Sequence, residues 1–130
     1  MKKDIIRYRV LIAGGGTGGH LFPAIAIGEE LEESGFIIKY MGSKYGIEAN
    51  HSFIDKEKID LLDLKGIQRS LSFKNILKNC LLPIKIIKSY CKVKKIITDY
   101  KPDLVLGTGG YSSALPLFVA IKKKISALKL

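Results

Sequence analysis

Cysteine is nearly missing from this chain: of 130 residues only Cys80 and Cys91 carry a thiol, both inside a stretch of helical periodicity. Two thiols make no disulfide framework, and their separation excludes the C-x-x-C spacing of a redox or metal site. Both read as buried thiols of a reducing compartment. Histidine is as scarce. His20 and His51 lack ligand spacing and no Asp-x-Asp pair could carry a metal-bound nucleotide, so the sequence predicts neither a metal nor a cofactor. Long apolar runs are missing too. Nothing approaches the ~20 uninterrupted apolar residues of a membrane span, and Met1-Lys2-Lys3-Asp4 opens on charge, not on an apolar signal core. The expected location is the cytosol or a membrane surface.

Acidic residues are few: 12 Asp and Glu stand against 22 Lys and Arg, a net charge of +10. The excess is concentrated between Lys74 and Lys101, where eight lysines face one acid, Asp99. Such a block suits nucleic acid or an anionic membrane, or forms a solvated helix face. A nucleic-acid partner would leave the glycine-rich segments unexplained, and none is expected.

With 47% hydrophobic residues, the chain can bury the core of one domain spanning residues 1–130. Apolar runs alternate with amphipathic segments, which predicts an α/β fold with a Rossmann-like, doubly wound parallel sheet. The first strand is expected at Tyr8–Ala13 and a helix at Phe22–Glu33, with Pro23 in its first turn and Ser34-Gly35 ending it in a left-handed cap. A second strand is expected at Ile37–Met41, a short helix at Ile47–Phe53 and a third strand, alternating in part, at Lys58–Leu64. Lys65–Arg69 reads as an exposed loop, with Ser72 as the N-cap of the next helix. Phe73–Asp99 is helical in period, with a break near Pro83 and Ile86, Tyr90, Val93 and Ile97 on one face. Leu104–Leu106 is a short strand, and Ser112–Ile121 a last helix.

Two glycine turns carry the chemistry. Gly14-Gly15-Gly16-Thr17-Gly18-Gly19-His20 follows an apolar strand and opens a helix, and Gly107-Thr108-Gly109-Gly110-Tyr111 repeats the plan. Bare backbone N–H groups and a helix N-terminus favour a phosphate, and both loops would flank one crevice at the carboxyl edge of the sheet. Gly14, Gly16 and Gly19 fit G-x-G-x-x-G, but Tyr40-Met41-Gly42-Ser43 has no acid to hold a nicotinamide-nucleotide ribose. No Lys-Ser/Thr follows the glycines, which excludes a P-loop. Imidazole ordinarily changes charge near neutral pH, so His20 is either a general base beside the phosphate or a structural, helix-capping residue. His51 reads as a structural or surface residue.

Taken together, Gly15-Gly16-Thr17-Gly18-Gly19-His20-Leu21-Phe22-Pro23-Ala24-Ile25-Ala26 resembles the first signature of the MurG family of bacterial peptidoglycan N-acetylglucosaminyltransferases. Lys101-Pro102-Asp103-Leu104-Val105-Leu106-Gly107-Thr108-Gly109-Gly110-Tyr111 resembles that family's second glycine loop. Met41-Gly42-Ser43 and Gly46-Ile47-Glu48 resemble the segment between them. The resemblance covers nearly the whole chain and implies the N-terminal, acceptor-side half of a GT-B enzyme of glycosyltransferase family 28.

The activity it implies is transfer of N-acetylglucosamine from UDP-GlcNAc to the C4 hydroxyl of the muramoyl sugar of lipid I, with inversion, giving lipid II. Thr17, Gly18 and Gly19 would contact the donor and His20 would be the base. Gly15, Gly16, Gly109, Gly110 and Tyr111 would shape the acceptor diphosphate pocket. A basic and apolar patch of Lys74, Ile76, Leu77, Lys78, Leu81, Leu82 and Lys85 would meet the anionic cytoplasmic face of the membrane, each lysine contributing about 1 kcal/mol. Periodicity alone equally allows those apolar residues to be core.

Relatives continue into a donor-binding domain, whereas here Lys122-Lys123-Lys124-Ile125 is expected to begin a strand and Ser126–Leu130 to diverge. The expectation is negligible transfer by this chain alone. It would be a truncated product, one half of a split transferase completed by a separate donor-binding domain, or a module that binds only lipid I or the membrane.

Overall fold

The computed structural model describes residues 7–50, 52–64 and 73–130, with backbone alone for 73–82 and Tyr111. Five strands form one parallel sheet: β1 (Arg9–Gly14), β2 (Ile37–Ser43), β3 (Ile59–Leu62), β4 (Leu104–Gly109) and β5 (Ser126–Lys129). Their order is β3-β2-β1-β4-β5, with β1 at the centre. Three helices connect them: α1 (Gly18–Glu33), α2 (Phe73–Tyr100) and α3 (Tyr111–Lys122). This is the expected doubly wound plan.

The alternation of β1 divides the core. Val10 and Ile12 pack with Leu21 and Ala24 of α1, while Leu11 and Ala13 pack with Val93 and Ile97 of α2 and Val119 and Ala120 of α3. Both faces of the central strand are covered, so Val10–Ala13 reads as a continuous apolar run. Gly28 is buried in α1 because a Cβ there would lie 2.0 Å from the Tyr40 hydroxyl. α1 ends as the sequence predicts: Gly35 has φ +96°, the Phe36 amide donates to the Leu31 carbonyl and the Gly35 amide to that of Glu32. These are the paired bonds of a Schellman cap.

Several expectations are corrected. α1 begins at Gly18, four residues before the apolar period becomes legible, so Pro23 falls in its second turn. Its missing N–H leaves the Gly19 carbonyl without the usual helical donor. The expected helix over Ile47–Phe53 shrinks to a 3-10 turn, Ile47–Ala49. α2 runs unbroken from Phe73 through Pro83 to Tyr100, a length of about 42 Å. Its apolar face is shorter than the period suggests: Val93 and Ile97 are buried, but Ile86 lies 42% exposed. Pro83–Lys88 all lie on the surface, and among the described side chains of α2 the first buried one is Ser89. Cys91 is exposed, on the side of α2 turned from the sheet.

The tail is corrected as well. Lys122 ends α3 and Lys124 adopts φ +57°, reversing the chain so that Ser126–Lys129 add a fifth strand beside β4. The strand expected to begin at Lys122–Ile125 therefore starts at Ser126, and Ser126–Lys129 pair with Leu104–Gly107. The expected loop at Lys65–Arg69, the Ser72 cap, His51 and the side chain of Cys80 lie outside the described residues.

Candidate active site

The sheet order reverses between β1 and β4, and both strands end in glycine turns there. Val10 to Ala13 pair with Leu104 to Gly107 in order, but Gly14 pairs with Gly109. Thr108 is thus an extra residue, a β-bulge at the rim of the sheet, and a bulge re-aims the groups around it. Its hydroxyl donates to the His20 carbonyl at 2.9 Å, and its own carbonyl oxygen lies 3.2 Å from His20 Nδ1. Gly14 permits this, since a Cβ there would sit 1.9 Å from Thr108 Oγ1.

His20 is therefore clamped from the opposite loop. A carbonyl only accepts, so in the neutral imidazole this bond places the proton on Nδ1 and leaves the lone pair on Nε2. The ring lies against the second loop, where a Cβ on Gly109 would come 2.6 Å from His20 Nδ1. One on Gly110 would come 2.8 Å from the Gly15 carbonyl oxygen, so the two turns meet backbone to backbone.

Of the residues singled out in the sequence, His20 is half-buried, Thr17 and Gly19 are exposed and Gly18 is partly exposed, all at the start of α1. His20 and Leu21 make the first helical bonds, to the Thr17 carbonyl, so the amides of Gly18 and Gly19 belong to the unpaired first turn. Gly15 is buried beneath the loop, and the Gly16 amide faces inward to a carboxyl oxygen of Glu48. Gly109 and Gly110 have φ +116° and +79°, and Gly110 caps α3. Tyr111 opens α3, and only its backbone is described.

Two residues of this constellation were not singled out from sequence: Thr108, visible only once the bulge is known, and Glu48, which is wholly buried. The single acid within a Gly-x-x-x-Gly-x-Glu run, Gly42 to Gly46 to Ile47-Glu48, was the available signal. Of the basic patch, Lys85 is described and exposed, flanked by exposed Ile84 and Ile87. The side chains of Lys74, Ile76, Leu77, Lys78, Leu81 and Leu82 lie outside the described ones. No helix among the described residues is long and apolar enough to cross a membrane.

A parallel sheet with two helix-opening glycine turns at its switch point defines a doubly wound α/β domain with a crevice at the carboxyl edge of the sheet. The model of the glycosyltransferase family 28 N-terminal domain matches residues 10–128, and the chain belongs to that family. It is 41% identical over 119 residues to a UDP-N-acetylglucosamine--N-acetylmuramyl-(pentapeptide) pyrophosphoryl-undecaprenol N-acetylglucosamine transferase of Lacticaseibacillus casei, covering 90% of this chain and 32% of that protein. The identity is again 41%, over 124 residues, with the enzyme of the same name from Lactococcus lactis subsp. cremoris, covering 92% and 33%.

Among solved structures, MurG of Acinetobacter baumannii superposes with a TM-score of 0.74 at 26% identity, over 94% of this chain and 34% of that one. The Streptomyces glycosyltransferase SsfS6, at TM-score 0.62 and 16% identity over 95% and 39%, shares the fold. The chain spans about a third of the length of the relatives it matches.

Proposed function

We propose that residues 1–130 form the acceptor-side half of an inverting transferase that moves N-acetylglucosamine from UDP-GlcNAc to the C4 hydroxyl of the muramoyl sugar in lipid I. The observation that carries this reading is the clamp on His20, which leaves Nε2 as an acceptor between two anion-favouring loops. His20 Nε2 takes the C4 hydroxyl proton as that oxygen attacks C1 of the donor sugar. The C1–oxygen bond to the diphosphate breaks, its electron pair leaves with UDP, and attack opposite the leaving group inverts C1. Thr17, Gly18 and Gly19 face the donor, and unpaired amides of α1 meet the growing diphosphate charge. Gly15, Gly16, Gly109, Gly110 and Tyr111 shape the pocket for the acceptor diphosphate.

The second wall of the crevice comes from residues beyond these 130, whether on the same or a separate polypeptide. One wall neither excludes water nor orients a donor, so the 130 residues alone turn over negligibly. The reading is tested by reconstituting the enzyme with a donor-binding domain and replacing His20 by alanine. The expected result is a fall in turnover of 10²-fold or more with donor binding retained. Near-normal turnover would remove His20 from the mechanism.

We also propose peripheral attachment to the cytoplasmic face of the membrane through the outer half of α2, where Ile84, Lys85, Ile87 and Lys88 are exposed together. The chain is expected to sediment with anionic vesicles at low salt and release as salt rises. Failure to sediment at low salt would end that proposal.

A further inference from the structure

Glu48 has no exposed surface, and its carboxyl group is enclosed by glycines. Oε1 accepts the Ser43 amide and Oε2 the Gly16 amide, each at 2.8 Å, joining the end of β2 to the first glycine loop. A Cβ on Gly15, Gly42 or Gly46 would lie 2.4, 2.5 or 2.1 Å from this side chain. A carboxyl buried this deeply persists only where hydrogen bonds replace its water, and two backbone donors do so here.

The bond to Gly16 fixes the direction of a whole peptide unit. With its N–H turned to Glu48, the Gly15–Gly16 peptide sends its carbonyl the other way, to the place where a Cβ on Gly110 would come 2.8 Å from it. One peptide thus links Glu48, the first loop and the second loop. Gly15 and Gly16 have φ +138° and +87°, a conformation open to glycine.

We infer that Glu48 is a positioning residue for diphosphate recognition: it withdraws the Gly16 amide from the crevice, leaves those of Gly18 and Gly19 to the ligand, and sets the spacing of the two loops. The inference rests on the diphosphate reading of the crevice. It makes a prediction of sign. A carboxylate merely near an anion site repels the anion, so neutralising it would tighten binding. Removing a positioning carboxylate weakens binding instead.

The test uses the full 130-residue chain and inorganic pyrophosphate as probe. Glu48→Gln, which exchanges one acceptor oxygen for an NH2 group, is expected to raise the dissociation constant about tenfold. Ile38→Val, a core change on β2 remote from the loops, is expected to leave it unchanged. Unaltered or tighter binding by Glu48→Gln overturns the inference, as does an equal loss in Ile38→Val.

A second measurement needs neither variant nor ligand. In the wild-type chain the Gly16 amide is expected to exchange with solvent at least about tenfold more slowly than those of Gly18 and Gly19, and equal rates overturn the inference. If wild type binds no pyrophosphate, the diphosphate reading fails, and the exchange rates alone decide what Glu48 holds.

Discussion

The two strand–loop–helix units that meet at the crevice share one plan and differ in what fastens it. In both, a central strand ends in a glycine turn and opens a helix whose sixth residue is proline, Pro23 in α1 and Pro116 in α3. Neither helix start carries a side-chain cap bond. The first loop is fastened by side chains reaching from elsewhere: Glu48 to Gly16, and Thr108 to His20. Apart from the His20 ring at the Thr108 carbonyl, the second is fastened from within its own unit, through Gly109 and Gly110 at positive φ and the Ser113 hydroxyl donating to the Gly110 carbonyl at 2.9 Å. A helix N-terminus suffices to attract phosphate, whereas a proton acceptor must be held at one place. The unit with the histidine is the one with the external ties.

The largest effect that would break this comparison is expected from Gly109→Ala. It adds strain at φ +116° and a Cβ 2.6 Å from His20 Nδ1, and should cost about 2–4 kcal/mol, read as a lower urea midpoint at unchanged slope. Gly35→Ala is its reference: φ is +96° there, but no atom lies within 4 Å of the added carbon, and about 1 kcal/mol is expected. Equal losses would mean that the second loop is not fitted to the histidine.

Alkaline pH sharpens the contrast. Burial, and then Glu32 and Glu29, push the Tyr40 phenol up to about 12. Burial likewise raises Tyr100 to about 12, its hydroxyl lying 3.0 Å from the Ile37 carbonyl oxygen and 3.2 Å from that of Val10. An unfolded tyrosine ionises near 10. The folded chain holds more protons between pH 10 and 12, so stability is complete below 10 and falls as pH rises to 12. Tyr40 packs against Gly28 of α1 and Tyr100 bonds carbonyls of β1 and β2, so amide exchange in that unit should rise before exchange in α3. Tyr40→Phe should flatten part of the slope.

Thr108→Val should cost about 1 kcal/mol by removing the hydroxyl bond to His20. Ser113→Ala, within the self-fastened loop, should cost about 0.5 kcal/mol by the same urea titration, and a larger loss than Thr108→Val would reverse the comparison.

The plan of the sheet was legible because central parallel strands are apolar on both faces, and Val10–Ala13 and Leu104–Leu106 declare that without context. Gly35 declared its cap. Boundaries failed where backbone geometry, and not side-chain pattern, sets them: α1 starts inside the glycine loop, β4 runs on to Gly109, and β5 is made of four exposed residues with no apolar signature. Ile86 was misplaced because periodicity assigns a face and says nothing about where the neighbouring element stops. His20 was found through its loop. Glu48 was missed as a site residue because an acid in a short polar segment is ordinarily a surface residue, and only the surrounding glycines reveal its burial.

The pairing of β1 with β4 also bears on how the chain is made. The contacts that close the crevice join residues 88 apart in sequence, from His20 to Thr108, and the edge of β1 facing β4 is satisfied only at a separation of 94, from Arg9 to Asp103. At roughly 5–20 residues per second of synthesis, that edge waits about 5–20 s after β1 emerges. Such distant closure is slow, and an apolar strand with an unpaired side invites pairing with other chains meanwhile. The crevice is thus among the last parts of the molecule to form, and the nascent β1–α1–β2 segment is the stage at which a chaperone has most to protect.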